Sequence, residues 1–381
     1  MTMPETRITD LLDPRTFALR HQIGLLVMLA LGLAPVWIPL LYTGGQGLLF
    51  LRTLTSALFF GMFAMSWDIV SGYTGQISFG HSLFFAVGGY TSALLNLGWG
   101  VSPVFAIALG TVLTAVVGLV IGGPALRLEG PYLSLVTLVA PLILLQLFIV
   151  YSGIFGGELG IPNPEPLVRV AGGFAAETKA YFFVAFGLFV LILGILLAVT
   201  RSDAGSVFTA IREDEQAVAA AGLNPAKFKI FAFVLSAAVG GLAGAVFVHT
   251  IGKPSPSQLL VMSISIEVII ASIIGGMGTI VGASIGGIIL VIFRSWLSNV
   301  GLAVPVIGIP IAELDLFLFS VVTLVLLFTL PGGLLRWGIK WGRTLLPARE
   351  RVATDGGTTP IVQAIDRYRG LLSRLGGGDD E

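Results

Sequence analysis

The chain has 381 residues, of which 55% are hydrophobic and only 11% are charged. Soluble domains carry about twice that share of charged residues, so the composition indicates a polytopic, all-α membrane protein. The net charge of zero argues against nucleic-acid binding, and the lack of cysteine excludes disulfides, thiolate metal sites and a cysteine nucleophile.

A helix that crosses a bilayer needs about 20 predominantly apolar residues. About ten stretches approach that requirement, near residues 22–43, 48–70, 77–97, 102–122, 132–152, 181–200, 229–250, 263–275, 279–297 and 312–331. The first is longer than the apolar core of a signal peptide and lacks an A-x-A cleavage pattern, so we interpret it as a retained span. The eighth and ninth are separated only by an uncharged, glycine-rich break. They are either two crossings or one tilted or broken helix.

Lys and Arg are concentrated in three polar regions, namely residues 1–21, 201–229 and 336–381. Short cytoplasmic loops are enriched in Lys and Arg, and ten crossings place both termini on the same side. We therefore predict a cytoplasmic N-terminal segment, a transmembrane domain at 22–335 and a cytoplasmic tail. A short helix is expected in the tail at 360–375.

One compact polar segment, 209–222 (TAIREDEQAVAAAG), stands between two long apolar stretches. Val207, Ile211 and Val218 recur at helical spacing and mark one apolar face, together with several alanines. The pattern predicts a short amphipathic helix on the cytoplasmic side.

Capping residues flank this predicted helix at both ends. Either Ser202 or Asp203 can cap its start, and Gly222 suits the left-handed position after its end. Asn224 and Pro225 suit the first turn of the following helix. The sequence predicts a short helix joined rigidly to the seventh span, which is a suitable shape for a docking lever. An ordinary helical cytoplasmic loop is the alternative.

A second polar run, 66–82 (SWDIVSGYTGQISFGHS), lies where one span ends and the next begins. Ionisable groups at membrane depth usually face a cavity or a partner, and glycine-interrupted spans often mark the substrate path of transporters. The candidate substrate-path residues are Gly72, Tyr73, Thr74, Gly75, Gln76, Ser78, Gly80 and His81. The alternative is a tight cytoplasmic turn in which Asp68 and His81 are satisfied by local hydrogen bonds.

Gly278, Gly282 and Gly286 recur at four-residue spacing, which predicts close helix packing rather than chemistry. The match of 282–286 to G-x-S-x-G lies inside a span and therefore lacks the strand–turn–helix setting of a nucleophile elbow. The sequence contains no G-x-x-x-x-G-K-[ST], so the chain cannot hold ATP with a P-loop. We predict no metal site, because the three histidines are far apart in sequence.

Several segments of the chain together resemble a known family. The run 72–81, with 84–90 (FFAVGGY), is the most specific of them, and 210–214 (AIRED) is followed by matching alanines, Gly222 and 231–233 (FAF). The runs 275–278 (GGMG) and 330–334 (LPGGL) are weaker matches. From about residue 50 to 335, the chain is similar to the membrane permease subunits of branched-chain amino acid ABC importers, of the LivM type.

This resemblance implies a type II-like ABC permease fold in a multi-pass protein of the prokaryotic plasma (inner) membrane. It implies a transport subunit rather than an enzyme, with no cofactor bound by this chain. The implied partners are a second, homologous permease subunit, two ATPase subunits that carry ATP and Mg, and an extracytoplasmic solute-binding protein.

The resemblance also assigns the polar segment to ATPase docking and coupling. The implied residues are Ala210, Ile211, Arg212, Glu213, Asp214, Ala217, Ala220 and Gly222. The three charged residues are expected to set the docking register. When the ATPases close, the helix is expected to tilt the seventh span.

The expected solutes are branched-chain or related amino acids, and the charge-poor core leaves urea and short amides as alternatives. An ion-coupled secondary transporter is an alternative from another class and would rely on Asp68 and Glu267. An intramembrane serine protease would need Ser284 with His81 or His249. The exact solute, homo- or heteromeric pairing of the permease, and contact of His81 with the substrate remain open at this stage.

Overall fold

The structure, a computed structural model, describes residues 19–42, 45–125, 132–299, 314–329 and 332–338. All regular secondary structure in these ranges is helical, as predicted. The predicted segment 1–18 and the tail beyond 338, including the expected helix at 360–375, lie outside the described residues.

The helices follow one another with short connections. They are α1 (Leu19–Gly32), α2 (Ala34–Leu41), α3 (Gln46–Thr74), α4 (Ser82–Trp99), α5 (Pro103–Ala125), α6 (Tyr132–Val150), α7 (Ser152–Phe155), a 3₁₀ turn (Gly157–Leu159), α8 (Gly173–Thr200), α9 (Asp203–Glu213), α10 (Glu215–Ala220), α11 (Pro225–Val248), α12 (Pro256–Leu259), α13 (Met262–Gly275), α14 (Ile280–Ser298) and α15 (Asp315–Thr329).

Seven helical segments in the described ranges are long and apolar enough to cross a membrane. They are α3, α5, α6, α8, α11, α12 with α13, and α14. The polytopic helical class is therefore confirmed, whereas the count of ten spans and the side of each terminus stay predictions. Some predicted bounds were wrong: α8 begins at Gly173 rather than near 181, and α4 begins at Ser82 rather than near 77.

The eighth and ninth predicted spans are separate helices, α13 and α14, which form an antiparallel hairpin. A Cβ atom added to Gly275 would lie 1.9 Å from the carbonyl oxygen of Gly282, and one added to Gly286 would lie 1.9 Å from that of Ala271. Only glycine at these positions lets the two backbones come so close. Gly282 and Gly286 thus lie in a helix contact, but Gly278 does not, because it lies in the turn with φ +77°.

The long helix α3 forms the centre of the bundle and is buried along most of its length. A Cβ added to Gly287 of α14 would lie 2.8 Å from the Cα of Gly61 in α3. On another side, the hydroxyl of Ser236 in α11 donates to the carbonyl oxygen of Ser66. Movement of α3 therefore displaces both α11 and the α13–α14 hairpin, because close-packed interiors transmit strain.

The connecting segments gather at two ends of the bundle. At one end, the loop after α7 is hydrogen-bonded to the loop after α11: the Ile161 amide donates to the Pro254 carbonyl at 3.0 Å, and the Leu167 amide to the His249 carbonyl at 2.9 Å. We call this the 157–167 end. The segments 75–81, 201–224 and 276–279 lie together at the other end, where the side chain of Arg212 donates to the carbonyl of Gly72.

We predict that Gly286→Ala destabilises the hairpin, because the new methyl group collides with the Ala271 carbonyl. Overpacking of this kind costs about 1–3 kcal/mol. The measurement is thermal unfolding of the purified protein in detergent. The matched control is Gly187→Ala, since Gly187 also lies within a helix, α8, but has no atom within 4 Å of an added Cβ. Equal unfolding midpoints for the two variants would contradict the packing role of Gly286.

Candidate coupling site

The polar segment is two helices, α9 and α10, so the predicted single rigid helix through Ala210–Gly222 is wrong. Asp214 stands between them in an extended conformation, φ −158° and ψ 102°. Its Oδ1 accepts a hydrogen bond from the Ala217 amide at 3.0 Å, which caps the start of α10. A short acidic side chain can satisfy the first amides of a new helix, and this competes with continuation of the preceding one.

The capping predictions at the end of the segment are confirmed. Gly222 has φ +84°, and the Asn224 side chain accepts from the Lys227 amide at 3.4 Å. Pro225 occupies the first turn of α11. At the start of α9, however, Ser202 holds the N-cap position without a capping bond, because its hydroxyl donates back to the Val199 carbonyl.

The outer surface of α9 and α10 consists of small residues. Ala210, Ala217, Ala220 and Gly222 are exposed, whereas Ile211 and Val218 are buried against the bundle. The exposed charges next to this surface belong to Glu213 and Asp214. A shallow surface of small side chains, held by a buried apolar face, is available to a partner protein.

An ion pair fastens α10 to the start of α11. The Lys229 ammonium lies 2.7 Å from Glu215 Oε1, and its side chain is only 6% exposed. Sequence reasoning placed Lys229 among the cytoplasmic cations but missed this pairing. Helical spacing gives no signal for it, because the two residues belong to different helices.

Arg212 projects toward the bundle instead of lying on the docking edge. Its Nη1 donates to the Gly72 carbonyl near the end of α3 at 2.9 Å, while Nε and Nη2 donate to Glu213 Oε1 at 3.2 and 2.8 Å. The sequence-based expectation that Arg212 helps set the docking register therefore does not match its main contact, which is internal.

Glycines provide the space around Arg212. A Cβ added to Gly278 would lie 2.8 Å from Arg212 Nη1, and one added to Gly75 would lie 3.0 Å from its Cγ. Gly72 supplies the carbonyl acceptor itself. We call this arrangement of Gly72, Gly75 and Gly278 the arginine socket.

Asp68, one turn before Gly72 on α3, links the same end of α3 to the hairpin turn. Its Oδ1 accepts from the Gly278 amide at 2.8 Å, and the residue is fully buried. A Cβ added to Gly72 would lie 2.1 Å from that oxygen, so the bond depends on glycine there. Arg212 and Asp68 together join α9, α3 and the α13–α14 turn.

The segment 75–81 runs between α3 and α4 without helical hydrogen bonds, and side chains satisfy its backbone. Trp67 Nε1 donates to the Ser78 carbonyl at 2.8 Å, and the Ser71 hydroxyl donates to the Gln76 carbonyl while accepting from the Ser78 amide. From α6, Thr137 accepts from the Phe79 amide. Irregular backbone at membrane depth needs such partners, because lipid offers none.

Most of the candidate substrate-path residues are packed inside the chain. Gly72, Thr74, Ser78, Gly80 and His81 are buried. Tyr73 and Gln76 are partly buried, and Gly75 is exposed.

The imidazole of His81 is hydrogen-bonded to a serine and packed among aromatic rings. Its Nε2 lies 2.7 Å from the Ser66 hydroxyl, and the rings of Phe63 and Phe84 pack against it. This geometry favours the alternative in which His81 and Asp68 have local structural partners.

The remaining chemical candidates also have partners of their own. Glu267, a candidate for ion coupling, is paired with Arg294 at 2.6 Å. Ser284 donates to the Val281 carbonyl, His81 bonds to Ser66, and His249 Nδ1 lies 2.7 Å from the Glu165 carbonyl. Ser284 thus has neither histidine as a recorded partner, so nothing here supports a protease dyad.

A family model described as "Branched-chain amino acid transport system / permease component" matches residues 49–328. The chain is 31% identical over 271 residues to the high-affinity branched-chain amino acid transport system permease protein LivM of Escherichia coli, which covers 65% of this chain and 63% of that protein. It is 30% identical over 294 residues to LivM of Salmonella typhimurium, with coverage of 71% and 67%. It is 28% identical over 230 residues to the probable branched-chain amino acid transport permease protein LivH of Methanocaldococcus jannaschii, with coverage of 58% and 71%.

The matched region therefore spans less than two thirds of the Escherichia coli relative and about two thirds of the Salmonella one. No solved structure matches the chain.

We predict that Glu215→Ala loosens the junction of α10 and α11, because it removes the partner of the nearly buried Lys229 ammonium. Loss of one partner of a buried hydrogen-bonded group costs about 1–3 kcal/mol. The measurement is thermal stability together with the rate of proteolysis within 201–224. The neighbouring exposed residue provides the control, Gln216→Ala.

Adding Lys229→Met to Glu215→Ala should restore much of the loss, because it removes the unpaired charge. If Glu215→Ala is as stable as Gln216→Ala, the ion pair does not hold the junction together.

Proposed function

Because the chain belongs to the family of branched-chain amino acid transport permeases, we propose that it is the membrane subunit of an ATP-driven importer. Its solutes are branched-chain amino acids or close relatives of them. The proposal depends above all on the α9–α10 segment. This segment presents a surface of small residues outward and is tied inward to two membrane helices, α3 through Arg212 and α11 through Lys229.

ATP hydrolysis in this proposal belongs to partner subunits. The sequence contains no P-loop. Two ATPases dock on the surface formed by Ala210, Ala217, Ala220 and Gly222. The similarity to both LivM-named and LivH-named proteins supports a second, homologous permease subunit beside this one.

The orientation follows from the same assignment. The end that carries α9 and α10 faces the cytoplasm, with both termini on that side and about ten crossings in a type II-like ABC permease fold. The 157–167 end then faces outward, where a solute-binding protein delivers the substrate. The excess of Lys and Arg in 201–229 supports this direction.

A neutral solute suits the inside of the bundle. The two acidic side chains within the membrane helices are engaged, Asp68 by the Gly278 amide and Glu267 by Arg294. An amino acid zwitterion carries no net charge, so it requires no fixed counter-charge along its path. Uptake assays with branched-chain amino acids, urea and short amides distinguish the members of this solute class.

We predict that Gly222→Leu uncouples ATP hydrolysis from uptake while the complex still assembles. The position is exposed and has no neighbour within 4 Å of an added Cβ, so the leucine projects into the proposed ATPase contact. The measurement is solute uptake per ATP hydrolysed, using the transporter reconstituted in proteoliposomes with its own ATPases.

The control for this prediction is Gly100→Leu. Gly100 also has a positive φ, +64°, and no neighbour within 4 Å, so leucine brings a similar backbone cost of about 1–2 kcal/mol. It follows α4, far from the docking surface, and should keep wild-type coupling. Wild-type coupling in Gly222→Leu would contradict the docking role, and equal losses in both variants would attribute the effect to backbone strain.

A further inference from the structure

We propose that Arg212 is a positioning residue that transmits movement of the docked ATPases to α3 and to the α13–α14 turn, an inference that rests on the proposed function. In this proposal, the arginine does not bind the ATPase. It joins α9 firmly to the end of the central helix, so that α9 and the cytoplasmic end of α3 move as one body.

The acceptor of Arg212 is one that a helix end leaves open. Gly72 lies among the last four residues of α3, whose carbonyls have no partner within the helix. The negative end of the helix dipole also lies there, and it attracts a cation. A guanidinium at 2.9 Å from this carbonyl satisfies both demands at once.

The arginine socket also restricts where the side chain can lie. Gly75 contacts its Cγ, Gly278 approaches its Nη1, and Glu213 holds the other two donors from the far side. Any larger residue at Gly75 or Gly278 would crowd the arginine. A side chain confined from several directions can transmit displacement, whereas a freely rotating surface side chain cannot.

From the socket, displacement reaches the core of the bundle by two routes. Along α3, it reaches α14 at Gly61 and Gly287, where the backbones almost touch. Through Asp68, it reaches the hairpin turn at Gly278. The ion pair of Lys229 gives α10 its own separate link to α11, and the break at Asp214 lies between the two connections.

The competing interpretation is that Arg212 binds the ATPase directly. Three of its guanidinium nitrogens already donate within this chain, to Gly72 and Glu213. The side chain is 33% exposed, whereas that of Glu213 is 70% exposed and therefore better placed for an external contact. Docking and transmission predict different results when the arginine is removed, so the experiment can separate them.

The first experiment compares Arg212→Ala with Lys227→Ala, which removes an exposed cation from the start of α11. The full transporter is purified, the retained ATPase is quantified, and uptake per ATP hydrolysed is measured in proteoliposomes. For Arg212→Ala, we expect wild-type ATPase retention and about a tenfold fall in coupling, the scale of one lost charge-assisted hydrogen bond. Lys227→Ala should keep wild-type coupling, and Arg212→Lys should fall between the two.

Loss of the ATPase from the Arg212→Ala complex would overturn the proposal in favour of direct docking. Unchanged coupling would overturn it as well. Neither result touches the proposed function, which would fail instead if wild-type uptake proceeded without ATP and followed an ion gradient.

The second experiment replaces the arginine contact with a covalent one. A Cβ at position 75 would lie 3.6 Å from the Cβ of Arg212, within the range for a disulfide, and the chain has no other cysteine. The double variant Gly75→Cys/Arg212→Cys should be uncoupled when reduced and regain at least several-fold coupling when oxidised. Gly75→Cys alone controls for strain at this positive-φ position and should not respond to oxidation.

Oxidation that forms the disulfide but leaves coupling low, or lowers it further, would show that α9 and α3 must separate during the cycle, and would overturn the proposal. Failure of the disulfide to form would contradict the adjacency on which the proposal rests.

Discussion

The bond from the Arg212 guanidinium to the Gly72 carbonyl exists only because glycines leave room for it. With a Cβ at Gly72, Asp68 would lose its bond to the hairpin turn, and with one at Gly278, the guanidinium would be displaced. The same constraint governs the rest of the bundle. Backbones approach each other at Gly88 and Gly241, and again at Gly275 and Gly282, to distances that no other residue allows. In lipid, packing of this kind replaces the hydrophobic effect as the force that holds helices together.

Segments far apart in the sequence meet at the Arg212 end. The runs 72–81, 210–214 and 275–278 all contribute to the arginine socket or its immediate surroundings. The fourth run, 330–334, reaches the same turn, because a Cβ on Gly333 would lie 2.6 Å from the Cα of Gly276. The segments on which the family resemblance rests therefore form one connected site at one end of the molecule. That site includes the proposed docking surface but extends well beyond it.

Local chemistry explains what could be predicted from the sequence. Gly222, Asn224 and Pro225 act within a few residues of themselves, so their capping roles could be read directly, as could the helical membrane class. The break at Asp214 was missed, because a favourable N-cap competes with alanine-rich helix propensity and the outcome depends on packing. The start of α8 was placed too late, because Glu177 and Lys179 reduce the hydropathy of its first turns. The inward direction of Arg212 could not be foreseen, since its acceptor lies 140 residues away.

The central claim is that α9 and the end of α3 stay joined throughout the transport cycle. The most direct measurement is the distance from Arg212 Nη1 to the Gly72 carbonyl oxygen in structures of the assembled transporter, without nucleotide and with ATP trapped. We expect this distance to stay near the present 2.9 Å in both states, while α9 changes position relative to the 157–167 end. A separation beyond about 3.5 Å in either state, the outer limit of a hydrogen bond, would contradict rigid transmission through Arg212.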